Sequence, residues 1–599
     1  LVLLALALIP ARSKQSNHTG AHVQVTVKIQ HVFGNSGLRF DDVSLKNAAG
    51  NTLSVSRLAY LLSGISLQRE DGTSVPLPDA VAYLNPAESR TAFDLSAVPI
   101  GRYTRLSFQV GLRADVNHAD PARYPAQHPL NPLVNRLHWG WQGGYVFLAI
   151  EGRYTQPGAG SIGKLGGYSY HLGADRDPMR VTLSYPFQIE QDSVIDLKFD
   201  VAHVFDAVSA ILIQHEGGGD STHSGVGDRL ATTLKANVAH AFTITSVASA
   251  SNQAGVATHM ETVAYPPHTT PYPLPIPAHF PQPFLPSDNP LTVECITLGR
   301  RLFFEKRLSG NSSQSCAGCH RPERAFSDGG KAASTGIDGR KGNRRAMPLF
   351  NLAWSGRYTW DGRRARLRDQ ALAPIQDRRE MHETLPRAIG KLHADATYRH
   401  MFASAFGSPG ITAERLGLAI EQYLLTIISA NSKFDRALRE EATFTDQEKR
   451  GLLLFITEYD PARGRKGADC FHCHGGNLFT DYQFKNNGLD TTFRDAGRAA
   501  VTGRAADRGK FKTPSLRNVE LTGPYMHDGR FATLEAVIAH YNSGVRRSDT
   551  LDPNIAKHSD EGLRLSAADK QALVAFLKTL TDHDVLGFQP PAPIRTTTK

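Results

Sequence analysis

Residues 264–290 read AYPPHTTPYPLPIPAHFPQPFLPSDNP, with ten prolines in 27 positions. Proline fixes φ and has no N–H to donate, so this stretch excludes a helix or a central strand. It should run extended and stiff, at about 3.1 Å per residue where polyproline-like. It divides the 599-residue chain into two halves of different pattern. Upstream, Val23, Val25, Val27 and Ile29 alternate with Gln24, Thr26, Lys28 and Gln30. Leu106, Phe108, Val110 and Leu112 repeat that period of two, as do Ile195, Leu197, Phe199 and Val201. Such alternation marks half-buried antiparallel strands, and with Gly, Pro and Asn/Asp punctuation it predicts an all-β sandwich or barrel. Downstream the period is helical. Ser566 is placed to cap, Asp569 follows three residues on, and Leu573, Phe576, Leu577 and Leu580 form a stripe. Residues 533–541 (TLEAVIAHY) read as another helix.

Composition sets the outer limits. Hydrophobic residues make up 41% and charged residues 21%, which is globular rather than disordered. The length is about four times a ~150-residue domain, so several cores are expected. The net charge of +10 is small for this length and forms no Lys/Arg block, which weighs against nucleic acid as a partner. No apolar run reaches ~18 residues, so no stable membrane span is expected. LVLLALALI (1–9), followed by Pro10, Ala11 and Arg12, reads as the apolar stretch of a secretory signal and points to the periplasm.

The five cysteines are too few and too uneven for a disulfide scaffold. Four of them sit in SCAGCH (Cys316, Cys319, His320) and DCFHCH (Cys470, Cys473, His474). CxxCH is the attachment site of c-type haem: two thiols bond the vinyl carbons and the histidine supplies an axial nitrogen. The competing reading is zinc held by two CxxC pairs brought together, but both pairs carry the trailing histidine. Cys295 is left over and suits a buried small apolar position. The organisation expected is multidomain: a tail (1–20), a β domain (21–263), the proline-rich linker (264–286) and two mainly α cytochrome c-like domains (287–445 and 446–599), one haem each.

These motifs carry a resemblance. NPLT (289–292), LGRRLFFEKRLSGNSSQSCAGCHRPERAFSDG (298–329), WDGR (360–363), FKTPSLRNVELTGPYMHDGRFATLE (511–535) and the second CxxCH closely resemble the bacterial dihaem cytochrome c peroxidase/MauG family. The resemblance implies an open peroxide site at the haem held by His320. It matches Trp360 to an inter-haem indole, and Gln370, Pro374 and Glu380 to the distal pocket. Glu380 is then the candidate acid/base for O–O cleavage, with His382 nearby. At the second haem, classical peroxidases place a Met where this chain has Tyr541, as MauG and MbnH do; Met526 is the competing ligand. A thioether raises the potential, whereas a phenolate is a hard anionic donor that favours higher iron oxidation states. The family also implies an inter-haem calcium on carbonyls near TGPY, here Thr522 and Pro524. Its usual Asn is replaced by Arg345 in RRAM, with Asn343 as a substitute.

In the β half, His31 continues the register of β-face residues 23–29, and His203 that of 195–201. A histidine at the end of a buried face is commonly a hydrogen-bonded core residue, but converging imidazoles suit copper. His138 and His171 are further candidates, while His215 and His223, in the Gly-rich stretch 211–226, read as solvent-facing. LHWGWQGGYVFLAIEG (137–152), YSYHLG (168–173) and the opening strand into HVFG (31–34) resemble the MbnP family of exported copper-binding proteins. That resemblance implies copper(I) on histidines, His171 foremost with His31 and His203, and on a kynurenine made from Trp139 or Trp141. Together the two resemblances imply a peroxide-dependent oxidase acting on its own N-terminal domain. The alternatives are a cytochrome c peroxidase fed by a small cytochrome or cupredoxin, and a copper-binding or electron-transfer protein without turnover.

Overall fold

The computed structural model describes residues 22–139, 143–155, 165–250 and 265–587. Trp141 and the apolar stretch at 1–9 lie outside the described residues. The N-terminal half is built on β1 (His22–Phe33), β2 (Arg57–Arg69), β3 (Ala92–Pro99), β4 (Gly101–Val110), β5 (Gly144–Thr155), β6 (Gly166–Gly173), β7 (Met179–Ile189), β8 (Ser193–Asp200) and β9 (Phe242–Ser249). One sheet runs β9–β8–β1, with β3 also on β1; the other runs β7–β4–β2–β5–β6. Their inner faces meet in an aromatic core, where Tyr60 packs on Phe199 and Phe108 on Phe242, each at 5.3 Å.

The alternating residues are inward as expected: Val25, Val27, Ile29, Ile195, Leu197 and Phe199 are all buried. One expectation fails. β1 and β8 are parallel, with Val25 opposite Ser193 and His31 opposite Phe199. Alternation reports which face is buried and carries no information on a neighbour's direction; the strands between β1 and β8 supply the long crossover that a parallel pair requires. β5 and β6 depart from alternation and are buried almost end to end. Their outer face is covered by the second half of the chain.

That half is mainly helical. α1 (Val293–Phe303) packs on α2 (Ala413–Leu425), and α3 (Asp446–Ile456) on α4 (Ala567–Lys578). The two pairs are built alike. A Cβ at Gly299 would lie 1.8 Å from the Ala419 carbonyl oxygen, and one at Gly451 2.0 Å from that of Ala572. Only glycine permits backbones that close. Ser566 and Asp569 form the reciprocal cap expected for α4. The 533–541 segment is helical from Leu534 to Ala539 and then widens into a π turn, His540–Gly544. Such turns recur at functional sites.

The proline-rich segment is strapped to both halves. Phe280 is fully buried against Trp354, whose Nε1 donates to Pro281 O at 2.7 Å. Asn131 Nδ2 donates to Gln282 O (3.1 Å), and Asn477 Nδ2 to His279 O (2.7 Å). Polar contacts tie β5 and β6 to the helical half: Arg153 Nη2 to Ser548 O (3.0 Å), Arg547 Nη1 to Leu165 O (2.6 Å) and Lys557 Nζ to Ser169 Oγ (2.9 Å). Among the described residues no helix is long and apolar enough to cross a membrane.

Candidate active site and inter-domain histidine cluster

Both CxxCH motifs are shaped to present an imidazole. Cys316–Cys319 form one helical turn, after which His320 Nδ1 donates to Phe326 O at 3.1 Å. Cys470–His472 form the equivalent turn, and His474 Nδ1 donates to Phe479 O at 3.1 Å. In each case the proton is held on Nδ1 and Nε2 keeps its lone pair for a metal. Burial lowers both imidazoles below the ordinary histidine range and favours this neutral form. Cys319 and His320 line one cavity, and Cys470, Cys473 and His474 another. Two separated CxxC pairs do not make a four-thiolate zinc site; each fits its own covalently attached haem. Cys295 is buried in α1, with its thiol pushed up to about 12 by burial.

The first cavity measures about 1150 Å³ and is lined by His320, Trp360, Gln370, Pro374 and Glu380. Burial, assisted by the charge of Asp377, pushes Glu380 up to about 7. A carboxyl group there is balanced between holding and releasing a proton near neutral pH. His382 is turned to the surface and paired with Asp338. The second cavity, about 230 Å³, holds His474, Tyr541 and Met526. Asn487 Nδ2 donates to Tyr541 Oη at 3.1 Å and lies 3.3 Å from Met526 Sδ. Burial raises the Tyr541 phenol, so it ionises there only against a bound cation.

Trp360 and Lys512 line both cavities and so form part of the wall between them. Trp360 is buried; its Nε1 donates to Arg345 O (2.9 Å), and its own carbonyl accepts from Lys512 N (2.7 Å). Burial lowers the Lys512 ammonium to about 8. Thr522 lines the second cavity, and Pro524 follows a cis peptide from Gly523. Arg345 faces both cavities, lowered to about 10 by burial, and its Nη2 has no hydrogen-bond partner. A guanidinium therefore stands where the family resemblance puts a neutral calcium ligand. Asn343, the substitute donor, lines the first cavity beside Arg345.

The β half meets the second attachment motif directly. Trp139 is 8% exposed and packs edge-on against Phe471 (5.2 Å between ring centres), His171 (4.9 Å) and His472 (5.7 Å), with His223 at 5.5 Å. His171 Nδ1 lies 3.0 Å from His223 Nε2, which lies 2.9 Å from His472 Nε2. Carboxylates stand behind these rings. His171 Nε2 is 2.9 Å from Glu151 Oε1, His223 Nδ1 is 2.8 Å from Glu458 Oε2, and His472 Nδ1 is 3.6 Å from Asp469 Oδ1. Burial opposes the charge of Glu151, but Arg57 at 2.7 Å and His171 outweigh it and keep the carboxylate well below its usual range. Glu458 is likewise kept ionised against burial, by His223 and by Lys557 at 2.8 Å. Burial lowers His171 to about 4 despite Glu151, and holds His472 well below the ordinary histidine range.

Two of the three expected copper histidines are elsewhere. His31 hydrogen-bonds Tyr60 Oη at 2.8 Å, and Tyr60 pairs with Leu148 and thus with the inner face. His171 pairs with Ala149, which pairs with Ala59, one residue out of phase and so on the opposite, outer face. His203 is exposed: β8 ends at Asp200 and residues 203–206 turn into a short helix, which breaks the expected register. His138 packs on Tyr145 at 4.7 Å, and burial lowers it to about 4. His215 pairs with Asp220 at 2.8 Å and its side chain is 39% exposed, whereas that of His223 is only 7% exposed and turns inward to the cluster. The motif reading does not single out His472; its signal is a histidine inside the attachment motif itself, CFHCH, where haem chemistry asks for none.

Two families match the chain: "Di-haem cytochrome c peroxidase" (CCP_MauG) over residues 293–443, and MbnP over 22–223. Methylamine utilization protein MauG of Methylophilus methylotrophus is 34% identical over 309 residues, covering 51% of this chain and 88% of that protein. Cytochrome c551 peroxidase of Nitrosomonas europaea is 34% identical over 298 residues, covering 49% of this chain and 81% of that one. Among solved structures, a MauG-like protein associated with microbial copper homeostasis aligns at 36% identity and a TM-score of 0.48, over 53% of this chain and 99% of that chain.

Proposed function

From the chain's membership of the dihaem cytochrome c peroxidase/MauG family, with an MbnP-type region ahead of it, we propose that it is a peroxide-dependent oxidase whose protein substrate is Trp139 of its own β half. One observation carries this reading: the Trp139 indole packs on Phe471, between the two cysteines of the second attachment motif. Haem held at the two motifs would supply the electrons that cleave the peroxide O–O bond and would recover them from the tryptophan. The residues do the rest. Glu380 takes a proton from the entering peroxide and returns it to the leaving oxygen. Trp360 fills the wall between the cavities with an oxidisable indole. Trp139 gives up electrons into the loop it touches. Two peroxide molecules and one tryptophan yield N-formylkynurenine and two waters; hydrolysis then releases formate and leaves kynurenine. The oxidised side chain and the histidines around it hold copper(I).

The same reading places the chain in the periplasm, which covalent haem attachment supports. No step is assigned to calcium, given the Arg345 guanidinium at that position. Contact within one chain makes the reaction intramolecular. The rate at which Trp139 is consumed after peroxide addition should therefore be independent of protein concentration over a hundredfold dilution series. A rate that falls in proportion to concentration contradicts oxidation within one chain.

A second reading has one observation in its favour: Met526 Sδ shares the Asn487 amide with Tyr541 and lies in the same cavity. With sulfur on the second iron, the chain is a peroxidase fed by a small cytochrome or cupredoxin. Fast turnover with a reduced cytochrome, lost in Met526→Leu, is its signature.

A further inference from the structure

We propose that His171 and His223 of the β half and His472 of the haem-attachment loop form a single metal site shared by the two halves, and that it takes copper(I). The proposal rests on the copper reading above and adds a ligand from the oxidase half. Convergence is the first argument: one nitrogen from each ring lies within 4.8 Å of the other two, with the closest pairs 3.0 and 2.9 Å apart.

Protonation is the second. The far nitrogen of each imidazole faces a carboxylate, Glu151, Glu458 or Asp469. For His171 the Glu151 carboxylate is at hydrogen-bond distance and holds the ring proton on Nε2, which leaves the Nδ1 lone pair on the near side, the arrangement that orients metal-bound histidines. His223 Nε2 stands at hydrogen-bond distance from both neighbouring rings, while among the described residues the buried Nδ1 atoms of His223 and His472 have no hydrogen-bond partner. A cation taking the near-side lone pairs would place the ring protons on those far nitrogens, toward Glu458 and Asp469.

Ligand type is the third argument. The three converging atoms of this cluster are all imidazole nitrogens, a set that disfavours calcium or magnesium, whereas Glu458 and Asp469 converge with His472 as a separate group. The remaining wall is aromatic, from Trp139 and Phe471. Three imidazole nitrogens converging in a largely buried setting suit a soft cation of low coordination number. Since His472 immediately precedes Cys473, an ion held here pins the β half to the loop that carries the second haem.

The test is a titration of the dihaem holoprotein with copper(I) against a chromophoric copper(I) chelator. The protein is fully reduced beforehand, so that copper cannot donate electrons to iron. Wild type should bind one equivalent. His472→Ala should weaken binding by at least about 100-fold, because loss of even an outer-shell partner costs 10–100-fold. The exposed control His240→Ala, whose ring bonds Ala236 O of its own helix, should leave it unchanged. Haem content and melting temperature verify folding of each variant. Should His472→Ala misfold, X-ray absorption of the copper(I)-loaded wild type reads the ligand count directly: three imidazoles agree with the shared site and two contradict it. If His472→Ala binds like wild type while His171→Ala does not, the shared site is overturned and a copper site confined to the β half stands. If wild type takes up no copper(I), the copper reading falls with it.

Discussion

Glu380→Gln should slow the reaction of the ferric protein with hydrogen peroxide by about 10²–10⁴-fold, the usual contribution of a positioned acid/base. The amide keeps the size and cavity position of the carboxyl group but cannot take a proton. Because burial brings Glu380 to about 7 in the fold, the pH profile gives a second reading. The carboxylate is the form that accepts a proton, so the wild-type rate should rise as pH increases through about 7. That limb should be absent in Glu380→Gln. The linkage has a definite sign: the folded chain holds a proton on Glu380 that the unfolded chain has released, between 4.5 and about 7. Stability contributed by this group therefore falls as pH rises through that window. Stopped-flow traces at the haem absorption band across pH 5–9 (roughly two pH units either side of the expected limb) measure the rate.

Tyr541→Met should preserve peroxide consumption yet cut conversion of Trp139 on the order of a hundredfold. Axial ligands command about 0.8 V of haem potential. For a one-electron step each ~59 mV is tenfold in equilibrium constant, so a change of only about 0.12 V suffices. The phenol is buried and bonded to Asn487, and a thioether there removes an anionic donor from the site. Electron paramagnetic resonance of the ferric variant should show a changed low-spin centre and an unchanged high-spin one. Peptide mass analysis reads the Trp139 product. If the spectrum of Tyr541→Met matches wild type and that of Met526→Leu does not, sulfur is the ligand.

Much of this was legible in the residues, for reasons that can be stated. Covalent haem attachment fixes cysteine and histidine spacing within five residues, Cys316–His320 and Cys470–His474, so both motifs stand out without any fold. β1 and β8 announce themselves because one face meets a core and the other meets water. β5 does not, because it is buried on both faces, and the charged Glu151 in its centre marks a second contact surface. The histidine cluster was hidden for the same reason. His171 lies on a strand, His223 in an aperiodic loop and His472 some 250 residues further on; only docking of the halves brings them together. His31 misleads because a face-by-face register places it correctly inward, into an aromatic core against Tyr60 and Phe199.

The central claim is that the oxidising power of the helical half is spent on one indole of the β half. Peptide mass mapping of the dihaem protein, before and after hydrogen peroxide, tests it most directly. The account predicts two added oxygen atoms, and then loss of the formyl group, on Trp139, with Trp354 and Trp360 unaltered. An unmodified Trp139 in protein that has consumed peroxide would contradict it.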